Sequence, residues 1–415
     1  MSADAQPPVP PPRPEPVQAT ATALALRLAE ICPPAAVDLA GAVALPAALP
    51  HADAWQAYVR EGRHAGLEYL ARDPEARADP HRAHPWARSV LVFGQRYTDG
   101  WDHADRSPWR GAVPGRPWID GVARYARGRD YHDVLLRAVR RVVRELGASW
   151  PGLVARVAVD TGPYLEREYA WLAGLGFLGK NTCLIHERLG SGLFLGVALT
   201  NLDVSGLPPA GVPATEPLYG LAPRSRAYGR DPAGDRPAPL TLCGRCTLCL
   251  EACPTGALAA AHVMDARLCI ATWTIEWRGR APADRRRQQG GLLFGCDICQ
   301  AACPWNHASA RRTGLPPWPA EYRPSPEHTE IRLADLAVMA RERFRERFRR
   351  TPLWRAHPDG LRRNALVVAA NTGRGELVDE ARRLAASDPD AEVRDVAEWA
   401  RRRLEDPRAP GEGRP

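Results

Sequence analysis

The residues best able to do chemistry are cysteines, and eight of the ten fall between positions 243 and 303. Cys243, Cys246, Cys249 and Cys253 stand at spacings of x2, x2 and x3 and are followed by Pro254. Cys296, Cys299 and Cys303 repeat the x2 and x3 steps before Pro304, and Cys269 stands apart from both runs. Thiolates in such a comb hold iron–sulfur cubanes, and the fourth member of a run reaches across to the other cluster. That rule assigns Cys243, Cys246, Cys249 and Cys303 to one 4Fe–4S cluster, and Cys253, Cys269, Cys296 and Cys299 to a second. Proline after the last cysteine ends the ligand loop and fixes its direction. Two structural zinc sites would not ask for a three-cysteine comb with a displaced fourth member. The chemistry is one-electron transfer through two clusters in series.

Such a pair of clusters needs an acceptor, and the candidates lie upstream. Val154–Val159 reads as a strand that ends at Asp160, before Thr161-Gly162-Pro163. A carboxylate there is either an Asx-turn or cap, or a general acid. The second role needs burial that raises its pKa, so that it holds a proton near neutral pH. Asp130 reads as the N-cap of a long helix, and His132 beside it as structural. The stretch Gly174-Leu-Gly-Phe-Leu-Gly-Lys-Asn181 lacks P-loop spacing and a Ser or Thr after Lys180; on its own it is a weak signal, and its plain reading is close backbone packing at a turn. No Gly-x-Gly-x-x-Gly motif follows a strand, so a Rossmann nicotinamide site is not indicated. Cys32 and Cys183 stand alone and read as buried apolar side chains. Nine arginines against three acids between 341 and 363 form either a solvated helix face or a phosphate-backbone footprint. Arg285-Arg286-Arg287 adds a second basic spot between the cysteine runs.

These residues must be positioned by a chain of 415 residues, enough for two to three domains. Apolar residues make up 45% and charged residues 25%, which leaves ample material for a core. No uninterrupted apolar run is long enough to span a membrane, and no export signal is legible, so the expectation is a cytoplasmic protein. The net charge of +8 permits an anionic partner. Residues 1–19, with seven prolines between Pro7 and Pro16, read as a disordered tail. Residues 20–202 alternate strand and helix patterns as one α/β domain. The eight prolines and five glycines of 203–240 mark a linker. The cysteine domain occupies 241–325, helices at 326–405 resemble a partial HEAT-like stack or a plain bundle, and 406–415 is a tail.

Together these segments resemble the epoxyqueuosine reductase family. The carrying stretches are Arg124–His132, Val159–Pro163, Ala173–Asn181, Cys243–Thr255, Asp265–Ile270, Thr274–Glu276, Phe294–Gln300, Cys303–Asn306 and Leu361–Ala365. They run in order over roughly 60–400. The resemblance implies a nitroreductase-like α/β sandwich that binds cobalamin, then a ferredoxin-like domain with two 4Fe–4S clusters, then a HEAT-like tRNA-binding domain. It implies removal of the epoxide oxygen from epoxyqueuosine at the wobble position of tRNA. Electrons would come from an external donor through the clusters to cobalamin, with Asp160 as proton donor. By the same resemblance, cobalamin contacts fall at Arg77, Ala123, Asp160, Leu184, Leu195 and Ala198, and tRNA contacts at Arg278, Arg362 and Arg363. A monomer that does not touch membranes is expected. A cobalamin-dependent reductive dehalogenase-like enzyme and a simple two-cluster electron carrier are the rival readings. An RNA-binding adaptor with scaffold clusters is a third.

Overall fold

A computed structural model describes residues 14–46, 49–101, 121–209, 212–221, 242–278, 283–307, 315, 317–324 and 331–406. At its centre lies a four-stranded antiparallel sheet. The strands run in the order Leu39–Ala44, Ser89–Arg96, Leu193–Thr200, Ala155–Ala158. Alternate residues of a strand point to opposite faces, and both faces here are covered. Leu91 and Phe93 meet the helices Ala21–Ile31 and Tyr131–Ser149 through Leu24, Leu28, Leu135, Val139 and Val142. Val90 and Val92 meet Tyr169, Ala170 and Leu172 of the helix Glu166–Leu172. Each such aliphatic side chain contributes roughly 1.5–3 kcal/mol on burial. The result is a three-layer α/β sandwich whose central strand Ser89–Arg96 is buried along its whole length.

Two expectations change, and one strand is new. Val17–Thr20 falls in the stretch expected to be a disordered tail, but it is a strand paired in parallel with Leu202–Ser205. Leu202–Ser205 in turn occupies the start of the expected linker. Backbone pairing overrides the turn-rich composition there, because Leu202 and Val204 bury their side chains against the sandwich. The edge strand Leu39–Ala44 has no counterpart in the sequence pattern. Its small residues lack the β-branched and aromatic signature of strands, yet it is almost wholly buried. The Pro-rich segment before residue 14 and most of 203–240 lie outside the described residues.

The cysteine region carries little regular structure. Short helices at Leu248–Ala252 and Ile298–Ala301 follow Thr247 and Asp297, and a small hairpin pairs Leu258–Ala260 with Val263–Met264. A π-helical turn, Thr272–Glu276, leads from Cys269 toward the sandwich; such turns gather at functional sites. Beyond it, helices His357–Asn371, Val378–Ser387 and Ala391–Glu405 pack through Leu361, Ala365, Val368, Ala381, Leu384, Val393 and Val396.

Candidate active site

Asp160 follows the strand Ala155–Ala158 directly after Val159. Its φ is +56°, in the left-handed region. The Thr161 N–H donates to the Val159 carbonyl at 2.7 Å, so Asp160 is the centre of a γ-turn. A non-glycine residue held this way costs about 1–3 kcal/mol and persists only where its surroundings over-determine it. Those surroundings come from two distant segments and from the helix that follows the turn. Tyr131 donates its hydroxyl to Asp160 Oδ2 at 2.5 Å. His132 Nε2 lies 3.5 Å and Arg355 Nη1 3.6 Å from the same oxygen. Glu166 Oε1 accepts the Asp160 backbone N–H at 2.8 Å.

The helix Tyr131–Ser149 starts as expected on Asp130, whose carboxylate accepts the His132 N–H. That carboxylate also holds His132 Nδ1 at 2.6 Å, so Asp130, His132 and Asp160 form a chain. Burial pulls the His132 pKa down, but the hydrogen bonds and charges of Asp130 and Asp160 outweigh it and raise it to about 9. Burial pushes Asp160 up, but bonds from His132 and Tyr131, with the charges of His132 and Arg355, hold it below its ordinary value. This corrects the expectation of an acid protonated by burial. Asp160 is 51% exposed and rests ionised, and the proton sits on its neighbour. Glu166 moves the other way: burial and then the charge of Asp160 push it up to about 8.

Two cavities meet at Asp160. One of about 350 Å³ is lined by Trp55, Leu70, Arg77, Glu166, Leu178 and Thr182 as well as Asp160. The other, about 230 Å³, adds Tyr69, Tyr125, Tyr131, Glu276 and Arg355. The larger falls in the range of small-molecule and cofactor pockets, about 300–1,000 Å³, and mixes apolar walls with a few polar groups. Arg77 stacks its guanidinium 5.7 Å over Trp55 there. The other expected cofactor contacts line neither cavity. Ala198 and Leu184 are buried in the packing of the sandwich, and Leu195 is partly buried against it. Ala123 is buried and donates its N–H to Phe294. The sequence alone does not mark Tyr131, Glu166, Glu276 or Arg355 as site residues. Each sits in an ordinary polar context, and only the fold brings them to Asp160.

The cysteines separate into two groups. Cys243, Cys246, Cys249 and Cys303 line a single cavity of about 240 Å³ together with Asn181 and Trp305. In the second group, burial raises Cys269, Cys296 and Cys299. The charge of Cys253 adds to Cys269 and Cys296, and those of Cys296 and Cys269 to Cys299. Among the described residues, no three His, Cys, Asp or Glu side chains converge tightly enough to grip one ion. The glycine-rich turn is close backbone packing: a Cβ on Gly176 would lie 2.6 Å from the Ile185 carbonyl. It also reaches the first cavity, because Lys180 Nζ donates to the carbonyls of Gly244 at 2.7 Å and Cys246 at 2.9 Å. Cys183, expected to be a buried apolar side chain, is half-buried, its thiol is pushed up to about 11 by burial, and it neighbours both Cys299 and Cys303.

The basic residues divide as well. Arg278 donates to the carbonyls of Ile275, Trp277 and Arg355, beside the smaller cavity. Arg363 donates to the Trp277 carbonyl. Arg362, expected to be a tRNA contact, is 12% exposed and pairs with Asp388 and Asp359 inside the helical region. Arg286 is similarly buried against Asp395 and Trp399. On the helix Arg341–Phe348, Phe344 and Phe348 are buried, while Arg343 and Arg345 stay exposed. Among the described residues no helix is long and apolar enough to cross a membrane.

Comparison with known proteins follows the same division. A family described as a 4Fe-4S double cluster binding domain matches residues 242–306. A family described as Epoxyqueuosine reductase QueG, DUF1730, matches residues 77–161, and so ends at the Asp160 turn. The chain is 32% identical over 348 residues to an epoxyqueuosine reductase of Pseudomonas aeruginosa, covering 84% of this chain and 86% of the relative. It is 36% identical over 311 residues to that of Gloeobacter violaceus, covering 75% and 84%. A crystal structure of an epoxyqueuosine reductase with an epoxyqueuosine-modified tRNA-Tyr stem loop superposes with a TM-score of 0.75 at 25% identity, covering 94% of this chain and 92% of that one. Another, from Bacillus subtilis with its catalytic aspartate loop swung out of the active site, superposes with a TM-score of 0.73 at 25% identity, with the same coverage. The protein belongs to the epoxyqueuosine reductase family.

Proposed function

We propose that the protein reduces epoxyqueuosine to queuosine in the anticodon loop of tRNA. The observation that carries this is the meeting of two cavities at Asp160, one of about 350 Å³ with Arg77 on its wall and one lined by Arg355 of the helical region. Opening the oxirane to an alkene and water consumes two electrons and two protons. Bound and reduced, cobalamin supplies a nucleophilic metal able to open an oxirane, and two 4Fe–4S clusters supply single electrons. Arg77, Trp55, Leu178 and Thr182 would hold the corrin in the larger cavity. Cys243, Cys246, Cys249 and Cys303 would hold one cluster, and Cys253, Cys269, Cys296 and Cys299 the other.

The protein's own work is placement and proton supply. Asp160 faces both cavities, and it hands a proton to the oxygen that leaves carbon. Because it rests ionised, it must first take that proton, and His132 Nε2 is the neighbour that holds one. Tyr131 keeps Asp160 Oδ2 aimed while the proton moves. The wobble base must leave its stack to reach this point. A HEAT-like reading of the helices 326–405 would have them grip the anticodon stem by shape and phosphate contacts, from exposed arginines such as Arg343 and Arg345 and from Arg278 and Arg363 near the cleft.

The test is anaerobic incubation of the cluster-loaded protein with cobalamin, a low-potential reductant and epoxyqueuosine-bearing tRNA, followed by nucleoside analysis. Queuosine is the expected product. Epoxyqueuosine left intact by protein carrying roughly eight irons and bound cobalamin would sink the proposal.

A further inference from the structure

The carboxylate of Asp160 is held by Tyr131, His132 and Arg355, and the Thr161 N–H closes the turn on the Val159 carbonyl, but none of these contacts engages the Asp160 N–H. A residue at φ +56° relaxes toward the extended region unless its own peptide is tied. One side chain ties it: Glu166 Oε1 accepts the Asp160 N–H at 2.8 Å. Glu166 is the first residue of the helix Glu166–Leu172. Tyr169, Ala170 and Leu172 of that helix are buried against the central sheet, so the acceptor stands on a rigid base. Arg77 adds a longer contact at 3.5 Å from Nη1 to the Gly162 carbonyl, on the far limb of the turn.

We propose that Glu166 is the positioning residue for the proton donor: its carboxylate latches the Asp160 γ-turn to the sandwich and keeps the turn inside the active site. The inference rests on the reading of Asp160 as proton donor. The latch needs an acceptor oxygen at this place and not a negative charge. Glu166→Gln keeps an acceptor, whereas Glu166→Met fills the same space without one.

Two measurements test it. In wild type the Asp160 amide should be protected from hydrogen exchange. In Glu166→Met a peptide spanning 155–165 should exchange about tenfold faster, with peptides of the central sheet unchanged. Turnover in Glu166→Met should fall by about 10²-fold through kcat, with KM for tRNA within about threefold. Glu166→Gln should retain a third or more of wild-type kcat. Exchange needs no substrate, so a wild-type protein that fails to reduce epoxyqueuosine defeats the functional reading while the latch is still judged. An unprotected Asp160 amide in wild type overturns the latch. So does a Glu166→Met variant with wild-type kcat, or one whose sheet opens along with the turn. A Glu166→Gln variant as poor as Glu166→Met shows that charge matters and overturns it too.

Discussion

The cysteine region and the Asp160 turn keep their reactive groups in place by opposite means. The cysteines lie in two short loops and a detached residue; Cys243, Cys246 and Cys249 are placed by steps of a few residues, and Cys303 reaches the same cavity from the second run. Asp160 depends on Tyr131 and His132 from the long helix, Glu166 from the next helix and Arg355 from the helical region. A ligand loop wraps the group it binds, so its geometry is written in its spacing. An acid that must be aimed takes its geometry from the whole fold.

The sharpest way to break that contrast is at the cysteines. Cys303→Ser should lower iron from roughly eight to roughly four per chain and abolish turnover, while the sandwich stays folded. Cys269→Ser should do the same to the other group. Iron analysis with circular dichroism checks both. Unchanged iron in either variant would mean that the two cysteine groups are not the ligand sets.

Asp160→Asn comes next. Asparagine keeps a partner for the Tyr131 hydroxyl but has no proton to exchange. Turnover should drop ~10²–10⁴-fold, the usual contribution of a positioned acid, with iron and cobalamin content unchanged. A variant with wild-type turnover would remove Asp160 from the chemistry and leave the turn as mere structure.

The same contrast explains what is legible in the chain before its fold. The combs announce both clusters, and the strands Ser89–Arg96 and Leu193–Thr200 announce themselves by apolar β-rich runs. Asp160 is legible as a carboxylate at a strand end. Its ionisation state is not, because that is set by His132, Tyr131 and Arg355, which no spacing connects to it. Arg362 reads as a phosphate contact because it sits in a basic run, and only burial against Asp388 shows it to be internal. The strand Leu39–Ala44 escapes because its alanines and glycine carry almost no strand signal.

His132 offers a finer test, through pH. Its environment consists of Asp130 and Asp160, with the Tyr131 ring stacked 4.1 Å away and Arg355 beyond Asp160. With a pKa raised to about 9, it carries its proton below that pH and loses it above. Turnover limited by proton delivery should therefore decline as pH rises through about 9. His132→Gln should cost about tenfold, equivalent to roughly 1.4 kcal/mol of barrier, and should erase that alkaline decline. If the decline survives in His132→Gln, the proton comes from elsewhere.

The smallest effects concern the basic surface, where two kinds of arginine should part. Arg343 and Arg345 are exposed on a helix whose Phe344 and Phe348 are buried. Replacing both with alanine should weaken tRNA binding and flatten its salt dependence by about one unit of slope for each phosphate no longer neutralised, with thermal stability intact. Arg362→Ala should do the reverse. It strands Asp388, 2% exposed, without its cation. Breaking a buried pair on one side costs roughly 3–5 kcal/mol, so the melting temperature should fall while the slope of binding against salt in the folded fraction is kept. Fluorescence-detected melting and binding titrations at several salt concentrations separate the two. A flattened slope in Arg362→Ala would mean that the Asp388 pair opens to meet RNA, and that a residue which looks internal in the free protein touches the nucleic acid in the complex.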